Sequence, residues 1–179
     1  MKKPPHKEAA ELNPSPLDLL PQQLLIQQVL GALVIRLSYA HFILELNLCS
    51  LLGIDAEKGR VLTEDLPLSK LASRFLRTVK EKTPQPEILK QFKKILKDLE
   101  GINEKRNRLV HGFWTFPDDG PPLLVPKKGP ITSVKAPALN EISDLVNATD
   151  LFTQEFFKCM NRINNPHMYA QRLPSHRAP

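Results

Sequence analysis

Between Pro21 and Leu52 the residues Ile26, Leu30, Leu33, Leu37, Ala40, Leu44, Leu48 and Leu51 recur at spacings of three and four, and this constrains the fold most. Only a helix brings such positions onto one side. With successive residues about 100° apart, Ile35, Phe42, Leu46 and Cys49 form a second apolar arc on another side. A helix apolar on two sides is either central in its domain or set at a subunit interface. Three more runs carry the same period. One covers about Leu66 to Lys82, with Leu68, Leu71, Ala72, Phe75, Leu76 and Val79, and takes Thr63, Glu64 and Asp65 as its start signals. Another covers about Pro86 to Phe113, with proline and Glu87 in its first turn and Gly112 at its end. The last covers about Leu139 to Ile163, with Ile142, Leu145, Val146, Phe152, Phe156 and Met160 on one face. Four such helices close an up-down bundle, so the predicted fold class is all-α.

The segments outside these runs are read from their breakers. Prolines at 4, 5, 14, 16 and 21 make residues 1–20 an N-terminal arm, and the polar, proline-broken residues 164–179 a C-terminal tail, both expected to be flexible. One helical domain, 21–163, lies between. From Phe116 to Ala138 the turn signal Pro-Asp-Asp-Gly and the short apolar runs LLV and ITSV predict a small hairpin or an ordered loop, and six prolines argue against a long sheet. Twenty-five Lys and Arg against 19 Asp and Glu give a net charge of +6, with pI near 9.4, which favours polyanionic partners without choosing among them. Cys49 and Cys159 stand far apart in apolar runs, with no metal-ligand spacing, and read as buried free thiols of a reducing compartment. No apolar core follows the basic start, and the run from Leu24 to Leu52 is interrupted by Gln27, Gln28, Arg36, His41, Glu45 and Asn47. No signal peptide or membrane span is expected, and the expected location is the cytoplasm.

The third run contains the chemistry. Setting Arg106 at 0° places Ile88, Phe92, Ile95, Leu99, Ile102, Leu109, Val110 and Phe113 within about 60° of it, so a guanidinium falls in the middle of an apolar stripe. A charge there costs free energy unless a carboxylate, a carbonyl, a partner subunit or a substrate phosphate meets it. Beside the stripe, Asn103, Asn107 and His111 stack four residues apart. Arginine grips phosphate bidentately and histidine titrates near neutral pH, so the set holds an anion clamp and a proton-transfer group.

Arg106-Asn107-Arg108-Leu109-Val110-His111, an arginine followed by a polar residue and then a histidine near the end of a third helix, resembles the signature of the HEPN superfamily (higher eukaryotes and prokaryotes nucleotide-binding). The resemblance spans about Pro21 to Ile163. It implies a metal-independent endoribonuclease of toxin or defence type, without cofactor, acting as a homodimer whose two motifs face one cleft. On that reading His111 is the general acid/base for attack of a ribose 2′-hydroxyl on its phosphodiester, Arg106 stabilises the transition-state charge and Asn107 positions them, leaving a 2′,3′-cyclic phosphate. Lys105, Arg108 and Trp114 are the expected RNA-binding residues, and Glu45 is a structural or accessory one: the internal partner of Arg106, a catalytic accessory, or equally an exposed position on the far face of helix one. An antitoxin protein is a further implied partner. In the toxin branch modified by a nucleotidyltransferase, a tyrosine follows the histidine by two positions, and here Phe113 stands there.

Two alternatives remain open on the sequence: a non-catalytic dimeric interaction module of the same fold, and a basic nucleic-acid-binding adaptor that does not cleave. The bland reading of the motif is an internally paired arginine and a histidine favoured by a helix C-terminus. That of Lys93, Lys94, Lys97, Lys105 and Arg108 is a solvated face, and that of Trp114 is packing against the loop.

Overall fold

Helix α1, Pro21–Leu52, stops where Gly53 takes the left-handed conformation (φ 68°). The Gly53 N–H then donates to the Ser50 carbonyl and the Ile54 N–H to the Cys49 carbonyl, closing the helix end with a Schellman motif. Two residues later the Asp55 carboxylate accepts from the backbone N–H of Glu57 at 2.9 Å and starts a new helix, α2, Ala56–Thr63. The computed structural model describes residues 21–63, 65–83, 85–117, 120–127 and 134–165. Among these the remaining helices are α3 (Leu68–Lys82), α4 (Pro86–His111) and α5 (Leu139–Asn164). Three short strands, β1 (Phe113–Thr115), β2 (Leu123–Val125) and β3 (Val134–Lys135), form an antiparallel sheet in that order. The chain is therefore mostly helical. The expected arm, 1–20, lies outside the described residues, as does the expected tail beyond Asn165.

The four expected helices are present, and α2 is an addition. Its eight residues carry too few apolar positions to show a period, and its signals are the local ones at Gly53 and Asp55. Thr63, taken from the sequence as a start signal for α3, closes α2 instead, its hydroxyl donating to the Gly59 carbonyl at 3.2 Å. Glu64 lies outside the described residues. An ideal Cβ at Gly59 would run into the Cys49 thiol, so only glycine lets α2 lie this close to α1.

α2 also sets the chain directions. Gly59 meets Cys49, and His41 bonds the Leu66 carbonyl, so α2 runs back along α1. α3 turns again, because Arg74, Thr78 and Glu81 share a cavity with Leu48 and Leu52. Hence α1 and α3 run the same way. α4 returns against α3, with Phe75 on Phe92, and α5 against α4, with Arg162 bonded to Gln91 at 2.7 Å.

The core lies among the four long helices. Phe75, Phe92 and Phe156, from α3, α4 and α5, are fully buried with ring centroids 5.2–5.6 Å apart. Each such pair adds about 0.5–1.5 kcal/mol beyond its area burial. α1 supplies Leu33, Leu37, Ala40 and Leu44 and packs on α2, α3, α4 and α5. By length and composition Gln22–Leu52 could also cross a membrane. Its second apolar arc divides: Cys49 is buried and Leu46 half-buried, while Ile35 and Phe42 stay 69% and 42% exposed, with Tyr39 nearby at 46%.

The sheet contains the expected small hairpin, β2 with β3, and adds β1 to it. LLV pairs with Val134, the last residue of ITSV, as a hairpin requires, and also with Phe113–Thr115, directly after α4, in the register Trp114 to Leu124. β3 then adds to the far side of β2, through Leu124 and Val134. Gly112 makes the corner, where a Cβ would stand 2.6 Å from the Arg108 carbonyl oxygen and 2.5 Å from a Leu124 methyl. Among the described residues the strands run two or three residues each, with Pro117, Pro122, Pro126 and Pro137 at or near their ends.

Candidate functional site

α4 is buried through Ile88, Phe92, Leu96, Leu99, Ile102 and Leu109, and Arg106 lies on the same side between the last two. The stripe does not stay covered to the helix end. Val110 is 39% exposed and Phe113, which belongs to β1 and not to the helix, is 72% exposed. Both were expected in the buried stripe. The stripe reaches the surface there because the chain turns away at Gly112 into the sheet, leaving the last turn of α4 uncovered on that side.

Arg106 sits at this boundary, half-buried. Its Nη2 donates to the Asn103 side-chain oxygen at 3.0 Å, and its Nε is sealed from solvent with no hydrogen-bond partner among the described residues. Burial pushes the guanidinium below its ordinary pKa. Among the described residues no carboxylate pairs with it. Glu45, one expected partner, is more than nine-tenths buried in α1 and faces His41 Nδ1 at 3.7 Å, while His41 Nε2 lies 3.1 Å from the Leu66 carbonyl. Glu45 is thus neither the counter-charge of Arg106 nor exposed. It belongs to the junction of α1 with the start of α3.

On another side of α4, Asn107, Arg108 and His111 line a cleft of about 630 Å³ with Pro126 and Lys127 of the segment after β2. His111 is exposed in it, in the last turn of the helix. The structure therefore brings Asn107 and His111 together, as their spacing predicted, and adds two cations. It does not bring Arg106 there. By the helical repeat Arg106 and His111 point about 140° apart, and Arg106 is not among the residues lining the cleft. Within one chain the arginine and the histidine do not converge on a common phosphate.

The expected RNA-binding residues also separate. Arg108 reaches the His111 cleft and also a second cavity, of about 660 Å³, between α4 and α5. Lys105 lines only the second. Trp114 does neither. Its indole N–H donates to the Leu109 carbonyl at 2.7 Å, satisfying an acceptor that the end of α4 leaves open, and its ring stacks on Phe116 with centroids 6.2 Å apart. Packing against the loop is its observed fate.

Sequence reasoning missed Pro126 and the role of Asn103 as the arginine's one hydrogen-bond partner among the described residues. Asn103 was readable, being three residues before Arg106 on the same helix. Pro126 was not, because its approach to α4 depends on a strand pairing that no local pattern announces. Among the described residues no group of three or more His, Cys, Asp or Glu could hold a metal ion. No protein-family model, curated protein or solved structure matches this chain.

Proposed function

We propose that this chain is a HEPN-like, RNA-binding protein with a four-helix core formed by α1, α3, α4 and α5, and a metal-independent endoribonuclease of toxin or defence type that acts as a homodimer. The observation that carries the reading is the half-buried Arg106 guanidinium, with a sealed Nε and no carboxylate partner among the described residues. A guanidinium left in this state is matched to an anion from outside, and RNA supplies one at every nucleotide. The resemblance of Arg106-Asn107-Arg108-Leu109-Val110-His111 to the family signature selects phosphodiester chemistry over simple anion binding.

The site is then built from two copies. Arg106 of one protomer and His111 of the other share the phosphate that they cannot share within one chain. The open stripe on α1 at Ile35, Tyr39 and Phe42, and Val110 and Phe113 at the end of α4, offer apolar surface for that association. In such a site His111 takes the 2′-hydroxyl proton as the 2′-oxygen attacks phosphorus, Arg106 stabilises the pentacoordinate charge, and Asn107 orients the imidazole one turn away. The P–O5′ bond breaks and the 5′-oxygen leaves as a hydroxyl, protonated by the imidazolium or by water. Arg108 and Lys127 hold neighbouring phosphates in the cleft.

The test is RNA cleavage in the presence of a chelator together with the mass of the protein in solution. Wild type is expected to cleave and to weigh two chains, and His111→Ala to weigh two chains without cleaving. A dimer that never cleaves RNA under any salt or pH identifies the non-catalytic interaction module instead. A monomer with full activity contradicts a shared site.

A further inference from the structure

The cavity between α4, α5 and the small sheet has a chemistry that the cleavage reading does not use. Its floor and walls are apolar, from Ile102 and Leu109 of α4, Leu124 of β2 and Leu145 of α5. On one side of the mouth stand the cations Lys105, Arg108 and Lys135, and on the α5 side the carboxylates Glu141 and Asp144. None of these five makes a salt bridge or a side-chain hydrogen bond among the described residues. Unlike charges around one opening that leave each other unpaired are free to meet a ligand bearing both an anion and N–H donors. The volume, about 660 Å³, falls in the range of small-molecule sites.

We propose that this slot receives a nucleobase of the RNA strand whose phosphate lies in the adjoining His111 cleft, and that it selects bases carrying an exocyclic amine. The inference rests on the RNA reading above and extends it to base preference. Arg108 lines both cavities, so one guanidinium spans the step from the phosphate in the cleft to the nucleotide whose base enters the slot. The planar face of the base packs on Leu109, Leu124 and Leu145. Its amine N–H groups point to Glu141 or Asp144, as a carboxylate accepts from the amino group of cytosine. Uracil presents a carbonyl at that position. Oxygen against carboxylate is repulsive, so uracil is rejected as well as less well held.

The test measures affinities of wild type for 2′-O-methyl oligonucleotides of equal length, all-A, all-C and all-U, which lack the hydroxyl that cleavage needs and so bind without reacting. All-A and all-C are expected to bind about tenfold tighter than all-U or better, the discrimination of one good polar contact. Glu141→Gln with Asp144→Asn, two exposed positions, is expected to erase the preference while leaving all-U affinity the same or stronger. Arg108→Ala is expected to weaken all three together and to flatten the salt dependence. Equal affinities for the three, or a preference that survives the double substitution, overturn the base slot and leave the RNA reading standing. Failure of all three to bind overturns both.

Discussion

Arg106→Met separates an architectural arginine from one held ready for an outside anion. Methionine keeps the unbranched stem that packs beside Ile102 and Leu109 and removes the guanidinium. Two opposing terms decide the outcome. Removing the sealed, unpartnered Nε relieves a desolvation penalty of about 1–3 kcal/mol. Losing the Nη2 bond to Asn103 costs about 1 kcal/mol, below the usual range for a charged donor because the pair is only half-buried and solvent can replace it. The expected net effect is a gain of about 1 kcal/mol, or a Tm rise of roughly 2–4 °C for a chain of this size. Urea unfolding followed by circular dichroism gives the stability, and the same preparation is assayed for RNA cleavage, which is expected to disappear. A loss of more than about 2 kcal/mol would refute the reasoning, since it would mean that the chain itself stabilises the charge. So would a variant that still cleaves.

Three further outcomes follow from the geometry. Gly112→Ala should destabilise by about 2 kcal/mol, because the new Cβ meets the backbone oxygen of Arg108, which cannot rotate away, and so moves β2 and Leu124; a thermal melt checks it, and an unchanged Tm would show that the corner is not tight. Trp114→Phe should cost about 1 kcal/mol by leaving the Leu109 carbonyl without the indole donor, read by urea midpoint, with no loss of RNA affinity. Burial raises the thiol pKa of Cys49, helped by the nearby Glu45 charge, and burial likewise raises that of Cys159. Folded values above the unfolded one mean that their contribution is complete below the unfolded thiol value of roughly 8.5 and is lost as pH rises through the folded values. Stability should therefore fall at alkaline pH, and fall less in Cys159→Val, as unfolding curves taken from neutral to strongly alkaline pH would show.

The helices were legible where period and length act together. Thirty-two residues of α1 and 26 each of α4 and α5 carry enough apolar repeats to fix their type, and their ends lie within a few residues of the expected bounds. α2 was not legible by period, because eight residues hold two helical turns. Its absence from the sequence reading also hid the shared direction of α1 and α3. The first strand after α4 was missed because Phe113 fits a helical wheel and a strand equally, and only pairing with Val125 decides between them. At the site the same limit applies. The i, i+4 stacking of Asn107 and His111 is a local property and survives in the cleft. That Arg106 faces away from the cleft is local too, since the helical repeat sets it about 140° from His111; which elements cover each side of the helix was not legible.

The most direct measurement is the end chemistry of RNA fragments produced by wild type and by His111→Ala with chelator present. A 2′,3′-cyclic phosphate and a 5′-hydroxyl from wild type, and intact RNA with the variant, are the predicted result. Fragments ending in 3′-hydroxyl and 5′-phosphate, or the same cleavage by both proteins, would contradict the assignment of His111 to the proton transfer.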